Sequence, residues 1–300
     1  MNNQKYIGRF APSPTGPLHY GTLVAAVASF LQARSQHGNW MVRIEDVDTT
    51  RCIKGADSRI LNTLEAYGMH WDGEVMYQTD RTEAYEHVLE KLKHDQLVFP
   101  CVCSRKQLAE KTGDWSPVYP GTCRSVDHWP EEDYSVRIKV PDKIIRFNDT
   151  VYGEQQQNLA HEIGDFVIKR RDGLFAYQLA VVIDDAYQNI TEVVRGTDLL
   201  DSTARQIFLQ RCLGYSTPGY LHCPLVVDAA GNKLGKSAGA AAISTEYPVK
   251  TIASILTFLG QHELPDVAGI SLEDAWRFAI AHWDLKLIPK KNRVRPAYPV

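Results

Sequence analysis

Arg9-Phe10-Ala11-Pro12-Ser13-Pro14-Thr15-Gly16-Pro17-Leu18-His19-Tyr20-Gly21-Thr22 is the stretch on which the reading of the fold turns. From Ala11 to Pro17 it is a run of turn formers too rigid for helix or strand, so it is a loop. Tyr6 to Phe10 in front of it reads as a short strand. Leu23 to Arg34 behind it carries small and apolar residues at helical spacing, and Gly38-Asn39 closes that helix before the apolar strand Trp40 to Ile44. Strand, loop, helix and strand make a βαβ unit, which implies a parallel sheet with ligands beyond the carboxyl ends of its strands. The loop delivers His19 to a helix N-terminus. There an imidazole, backbone N–H groups and the helix dipole converge on phosphate oxygens, and Gly21 leaves room for an adenine or ribose. Taken alone, a Pro-rich turn with a capping histidine is the commoner meaning of such a loop.

The 300 residues include 33 basic and 36 acidic side chains, a formal charge of −3, and 44% are hydrophobic. Disorder and strong non-specific DNA binding are excluded, and any nucleic-acid contact needs a local basic patch. The longest apolar run, Leu23 to Leu31, is broken by Ser29 and falls short of the ~20 residues of a membrane span, so no membrane partner is expected. Met1 to Phe10 lacks the pattern of a secretory signal, so a cytoplasmic protein is expected, with Cys52, Cys101, Cys103, Cys123, Cys212 and Cys223 unpaired.

Ala56 to Tyr67 and Thr82 to His94 read as amphipathic helices. The turn-rich segment that follows, with a half-buried strand at Val136 to Val140, reads as an insertion. Buried-strand patterns return at Phe166 to Ile168, Leu179 to Ile183 and Pro224 to Val227, with a helix from Ser202 to Leu213. Helical patterns at Val249 to Leu259 and Leu272 to Trp283 close the chain. The resulting division is 1–97 and 165–240 for two halves of one α/β domain, 98–164 for the insertion and 241–300 for a helical end piece.

Lys233-Leu234-Gly235-Lys236-Ser237, far along the chain, is the partner of the opening loop. Two lysines three apart on a loop can close over a triphosphate, and their charge matters most as pyrophosphate leaves. A solvated lysine pair is the alternative for the pentapeptide by itself. Together the two motifs resemble the HIGH and KMSKS signatures of class I aminoacyl-tRNA synthetases, and Arg9 to Gly21 is similar to the opening of their glutamyl branch. The resemblance runs on through Arg43 to Asp48, Tyr177 to Asp185 and Glu192 to Leu200, and covers about 240 residues. Tyr20, Thr22 and Leu234-Gly235 depart from the two signatures, while both lysines are kept. The resemblance implies a Rossmann-like parallel sheet with a zinc-bearing insertion and a short helical end piece.

Only residues 238–300 follow Ser237, too few for the anticodon-binding domain expected there in glutamyl- and glutaminyl-tRNA synthetases. The chain thus resembles a shortened family, the glutamyl-Q tRNA(Asp) synthetases. These activate L-glutamate with ATP, without tRNA, and place it on queuosine, the modified base at the first anticodon position of tRNA(Asp). The implied partners are L-glutamate, ATP with Mg²⁺ on its phosphates, and the tRNA(Asp) anticodon stem-loop. A trimmed glutamyl-tRNA synthetase charging a 3′ end and a silent RNA-binding or glutamate-sensing paralogue are the alternatives.

Glutamate offers two carboxylates and an ammonium, so a selective site needs guanidinium groups and a carboxylate, and Arg9, Glu45 and Arg195 supply them. The resemblance implies that Arg9 meets a substrate carboxylate and Glu45 the α-ammonium. It adds Tyr177 and Arg195 to complete the pocket, with Ser13 nearby, and puts His19, Gly21, Lys233 and Lys236 at ATP. Structural ion pairs are the alternative meaning of Glu45 and Arg195. Cys101-Val102-Cys103 with Cys123 offers three thiolates to a tetrahedral ion, which suits a structural Zn²⁺. The fourth ligand lies between His128 and Tyr119, and the resemblance favours Tyr119. Lys286, Lys290, Lys291, Arg293 and Arg295 form a basic tail able to contact phosphates or to fray in solvent.

Overall fold

A computed structural model describes residues 5–112, 118–227, 231–233, 242–291 and 293–294. Strand β1 (Ile7–Phe10) enters the proline loop, helix α1 (Tyr20–Ser35) follows, and β2 (Asn39–Ile44) returns parallel to β1 with Ile7 opposite Asn39. The loop is pinned at Gly16, whose φ of +134° suits a residue without a side chain, and at Pro12, whose carbonyl accepts the Glu45 N–H at 2.9 Å. Helix α1 is buried nearly all round instead of being amphipathic, because it lies between the sheet and the C-terminal helices.

The chain continues through α2 (Ala56–Ala66), β3 (Met76–Tyr77), α3 (Thr82–His94), β4 (Val98–Cys101), α4 (Arg105–Thr112) and β5 (Ser135–Ile138). Next come β6 (Ile144–Asp149), β7 (Gly153–Asn158), α5 (Leu159–Glu162), β8 (Val167–Lys169), α6 (Tyr177–Tyr187) and β9 (Glu192–Gly196). Helix α7 (Thr203–Leu213), β10 (Gly219–Cys223), β11 (Leu225–Val226), α8 (Pro248–Phe258), α9 (Leu272–Ala281) and β12 (Arg293–Val294) complete it. Among the described residues, no helix is long and apolar enough to cross a membrane.

Strand β3 flanks β2, and β9 abuts the other edge of β1. Thr191 donates its N–H to the Ile7 carbonyl at 2.9 Å, and Arg9 reaches the Val194 carbonyl, so β1 and β9 run the same way. Beyond β9 come β10 and β6, both parallel, and then β7, antiparallel to β6. A three-stranded sheet (β3-β2-β1) and a four-stranded one (β9-β10-β6-β7) thus abut at β1 and β9, and the chain reverses its direction of growth between these two strands. Ligands of such sheets bind in the crevice at that reversal.

Three expectations need correction. Leu179 to Ile183 is the middle of α6, not a strand: residues 179–185 are all buried, and a short apolar run buried on every side carries no period that separates helix from strand. Val167–Lys169 does not resume the parallel sheet but pairs antiparallel with β5, next to β4. Strands β6 and β7 lie within 98–164 yet pair with β10 in the main sheet. In the basic tail, where the sequence leaves phosphate contact and fraying both open, Ile288 is buried and Arg293–Val294 pairs in parallel with β11.

A small cluster of Phe99, Cys101, Tyr119 and Cys123 fills the end of the three-stranded sheet. Gly164 closes against it with φ at +72°, where an added Cβ would lie 2.6 Å from the Tyr119 nitrogen. Both constraints forbid a side chain. Gly164→Ala should cost about 2 kcal/mol or more of unfolding free energy, and an unchanged urea midpoint would contradict this packing.

Candidate active site

The crevice between β1 and β9 opens into a cleft of about 860 Å³ at the carboxyl ends of β1, β2 and β9. Arg9, Ser13, His19, Gly21, Glu45, Tyr177, Arg195 and Lys233 all line it, so side chains scattered over the sequence converge where the fold predicts a ligand. Lys236 lies outside the described residues.

One end of the cleft is built from buried charge. Arg9 donates from Nε to Asp185 Oδ1 at 3.1 Å, and Arg43, fully buried, donates to the same oxygen at 2.8 Å, to Glu45 at 3.3 Å and to Gln188 at 2.7 Å. Burial by itself would raise the Asp185 carboxyl, but the Arg9 and Arg43 guanidinium groups outweigh it and hold the pKa below the usual value. For Glu45 burial wins over the same two arginines, and its pKa is raised. The structural ion pair weighed for Glu45 thus exists, with Arg43.

Arg195 differs. It is 5% exposed, yet all of its hydrogen-bond acceptors among the described residues are neutral. They are Gln206 Oε1 at 2.8 Å, Thr203 Oγ1 at 2.9 Å, His222 Nε2 at 3.0 Å, the Leu199 carbonyl at 3.2 Å and the Tyr177 hydroxyl at 3.4 Å. Burial raises the pKa of Tyr177, against the opposing pull of the Arg195 charge, so the phenol stays protonated. This guanidinium is buried with no carboxylate in the set, and a ligand carboxylate would share or displace its two longest contacts, to Tyr177 and to the Leu199 carbonyl.

The other end is the N-terminus of α1. His19 caps the helix, its ring accepting the Thr22 N–H at 3.3 Å and contacting the Thr22 hydroxyl at 2.8 Å. The first turn contains no acidic residue, so the positive end of the helix faces the cleft uncompensated by the helix itself. Lys233 stands at the mouth paired with Asp198, and Asp48 pairs with Arg170 at 2.7 Å across the same rim.

Away from the cleft, the sulfurs of Cys101, Cys103 and Cys123 lie within 4.8 Å of one another. The Tyr119 hydroxyl is 3.4 Å from Cys101 Sγ and accepts the Cys123 N–H at 2.8 Å. His128 is 82% exposed beside Asp127, outside this group. Three converging thiols with an oxygen beside them can hold a metal ion.

Sequence reasoning missed four buried groups. Arg43 and Asp185 stand inside motifs already singled out, but nothing in their spacing shows that Arg43 and Arg9 donate to one Asp185 oxygen. Asp149 and His222, which meet at 2.7 Å, carry no signal in their neighbouring residues.

Residues 6–255 match the family described as tRNA synthetases class I (E and Q), catalytic domain. A protein of Aromatoleum aromaticum named glutamyl-Q tRNA(Asp) synthetase is 48% identical over 95% of this chain and 91% of its own length. One of Pseudomonas aeruginosa with the same name is 50% identical over 95% of this chain and 96% of its own. Among solved structures, a glutamate-tRNA synthetase from Elizabethkingia anophelis superposes with a TM-score of 0.81 at 27% identity, covering 97% of this chain and 68% of that one. The crevice at the sheet reversal, the two-ended cleft and the extent of these matches agree: the chain belongs to the class I tRNA synthetases for glutamate and glutamine, in the family of the glutamyl-Q tRNA(Asp) synthetases.

Proposed function

We propose that this chain activates L-glutamate with ATP and transfers the glutamyl group to queuosine in the anticodon loop of tRNA(Asp). The observation that carries the first half is the two-ended cleft, with a buried guanidinium awaiting a carboxylate at one end and the N-terminus of α1 at the other. The second half is supported by near full-length identity of 48% to relatives named for that reaction, against 27% to a glutamate-tRNA synthetase.

In this reading Arg195 with Tyr177 receives the side-chain carboxylate, Glu45 receives the α-ammonium, and Arg9, next to Ser13, meets the α-carboxylate. An oxygen of that carboxylate attacks the α-phosphorus of ATP, the bond to the bridging oxygen breaks, and pyrophosphate leaves. His19, the α1 N-terminus beside Gly21, and Lys233 with Lys236 offset the charge that gathers on it, and Mg²⁺ on the phosphates would add to this. A hydroxyl of the cyclopentene diol on the base then attacks the acyl carbon, giving up its proton as AMP leaves. No side chain forms a covalent bond, so rate comes from positioning and electrostatics. An unstacked anticodon base is accessible to such a cleft in a way that a paired one is not. Cys101, Cys103 and Cys123 with Tyr119 would hold a Zn²⁺ that ties the insertion together outside the reacting centre, the three sulfurs lying within 4.8 Å of one another.

Pyrophosphate exchange should require glutamate and ATP but no tRNA. Glutamine should be disfavoured by at least about thirtyfold, equivalent to about 2 kcal/mol, because its amide leaves the guanidinium uncompensated; equal rates would show the pocket is wrongly placed. Labelled glutamate should appear on tRNA(Asp) that carries queuosine and not on the same tRNA without it. Labelling of a queuosine-free tRNA at its 3′ end would instead establish the synthetase that charges a terminal ribose. Purified protein should hold about one Zn²⁺ per chain, lost in Cys101→Ser together with stability of the insertion; metal analysis finding none in protein kept from chelators would remove the metal from this account.

A further inference from the structure

Among the described residues, the buried Arg195 is held not by a carboxylate but by a relay that ends in one. In the parallel register of β9 and β10, Arg195 and His222 face each other, and β6 brings Asp149 alongside the next strand. Arg195 Nε can only donate, and it lies 3.0 Å from His222 Nε2, so that ring nitrogen accepts. The imidazole proton is therefore on Nδ1, which donates to Asp149 Oδ2 at 2.7 Å. The second carboxylate oxygen, Oδ1, accepts the Val151 N–H at 3.0 Å and the Tyr152 N–H at 2.9 Å. Asp149 and His222 have no exposed side-chain surface and neither lines the cleft.

We propose that Asp149 and His222 are positioning residues that fix the orientation in which Arg195 presents its guanidinium to the substrate carboxylate, and thereby set the preference for glutamate. This rests on the reading of Arg195 as the carboxylate-binding side chain. The electrostatic logic is one of distance. A carboxylate directly on Arg195 would compete with the substrate, whereas no carboxylate at all would leave a cation stranded in a dry site. A neutral imidazole in between sets the Asp149 charge one ring away, where it offsets the burial of the cation and leaves the guanidinium unneutralised. The ring also decides direction: with Nε pinned by His222, and the two terminal nitrogens held by Thr203, Leu199, Gln206 and Tyr177, the guanidinium plane has one orientation at the end of β9.

Asp149→Asn is the sharpest test because it changes almost no volume. With its amide oxygen kept on the Val151 and Tyr152 N–H groups, the new –NH₂ donates toward His222 Nδ1, which must then accept and move its proton to Nε2. An N–H of the ring then faces the Arg195 Nε–H. The same substitution at the buried aspartate of a serine-protease triad produces this wrong-tautomer effect. The KM for glutamate in pyrophosphate exchange should rise at least about tenfold, equal to about 1.4 kcal/mol. The KM for ATP should stay within about twofold, and the margin over glutamine should shrink. His222→Gln keeps one donor for Asp149 and one acceptor for Arg195, so it should retain most of the glutamate affinity that His222→Leu loses.

Unchanged glutamate KM in Asp149→Asn, or an equal rise in the KM for ATP, overturns the relay. If Asp149→Asn does not fold, the His222 pair decides: a Gln variant as impaired as the Leu variant overturns it as well. Arg195→Ala separates the two levels of the argument. If its glutamate KM is unchanged, the pocket reading falls and takes the relay with it. If Arg195→Ala is impaired and Asp149→Asn is not, only the relay falls.

Discussion

Four charges buried together at the carboxyl ends of β1 and β2 constrain everything around them. Arg9, Arg43, Glu45 and Asp185 balance in sign, and each depends on the others, because removing one partner from such a group strands a charge at a cost of about 3 to 5 kcal/mol. Asp185 lies on α6, so its shared oxygen ties that helix to two strands at once. Arg43 is committed on three sides, and its buried Nε has no hydrogen-bond partner among the described residues, so the cluster is not optimised for stability. What it fixes is position. Glu45 is held with its carboxylate in the cleft, and Arg9 is anchored by Nε beside it.

The two ends of the cleft use different physics. The end built on Arg9, Arg43, Glu45 and Asp185 relies on full charges in a dry site, where the effective dielectric is low and a misplaced group is heavily penalised. The end at the N-terminus of α1 relies on backbone dipoles and on a lysine half exposed to solvent. The Lys233 pair with Asp198 is worth at most about 1 kcal/mol in that setting, so it cannot hold the lysine against a polyphosphate. Gly196 makes that contact possible, since a Cβ there would meet Asp198 Oδ1 at 2.7 Å. Selectivity is thus concentrated where water is excluded, and adaptability where it is not.

The sequence was most legible where local chemistry has one outcome. A proline run, a capping histidine and a Gly-Asn turn leave little choice, and β1, α1 and β2 follow within a few residues of their expected ends. Leu179 to Ile183 was illegible because α6 is packed on every side, which erases the amphipathic period that marks a surface helix. Arg9, Glu45, Tyr177 and Arg195 could be collected from the chemistry of glutamate and from the resemblance, since each touches the cleft. Asp149 and His222 could not, since their meaning exists only across strand register: His222 is opposite Arg195 because β10 pairs with β9, and Asp149 is near because β6 pairs with β10. Pairing between distant strands is set by the whole sheet.

The same limit explains why a metal is the natural keystone of the insertion. Among the described residues, the cluster at the turns between β4 and β5 buries Phe99, Cys101, Tyr119 and Cys123, a small apolar surface to set against the conformational entropy of those turns. Polar contacts do part of this. Asp165 accepts the Val140 N–H at 2.7 Å and pairs with Arg124, and the Tyr119 hydroxyl accepts the Cys123 N–H. Yet burial and the contact with Cys123 push the Cys103 thiol up to about 11, which disfavours the thiolate at that position. A divalent ion bound there would join side chains that lie on both sides of the turns that need ordering, and would add its bonding to the small apolar cluster.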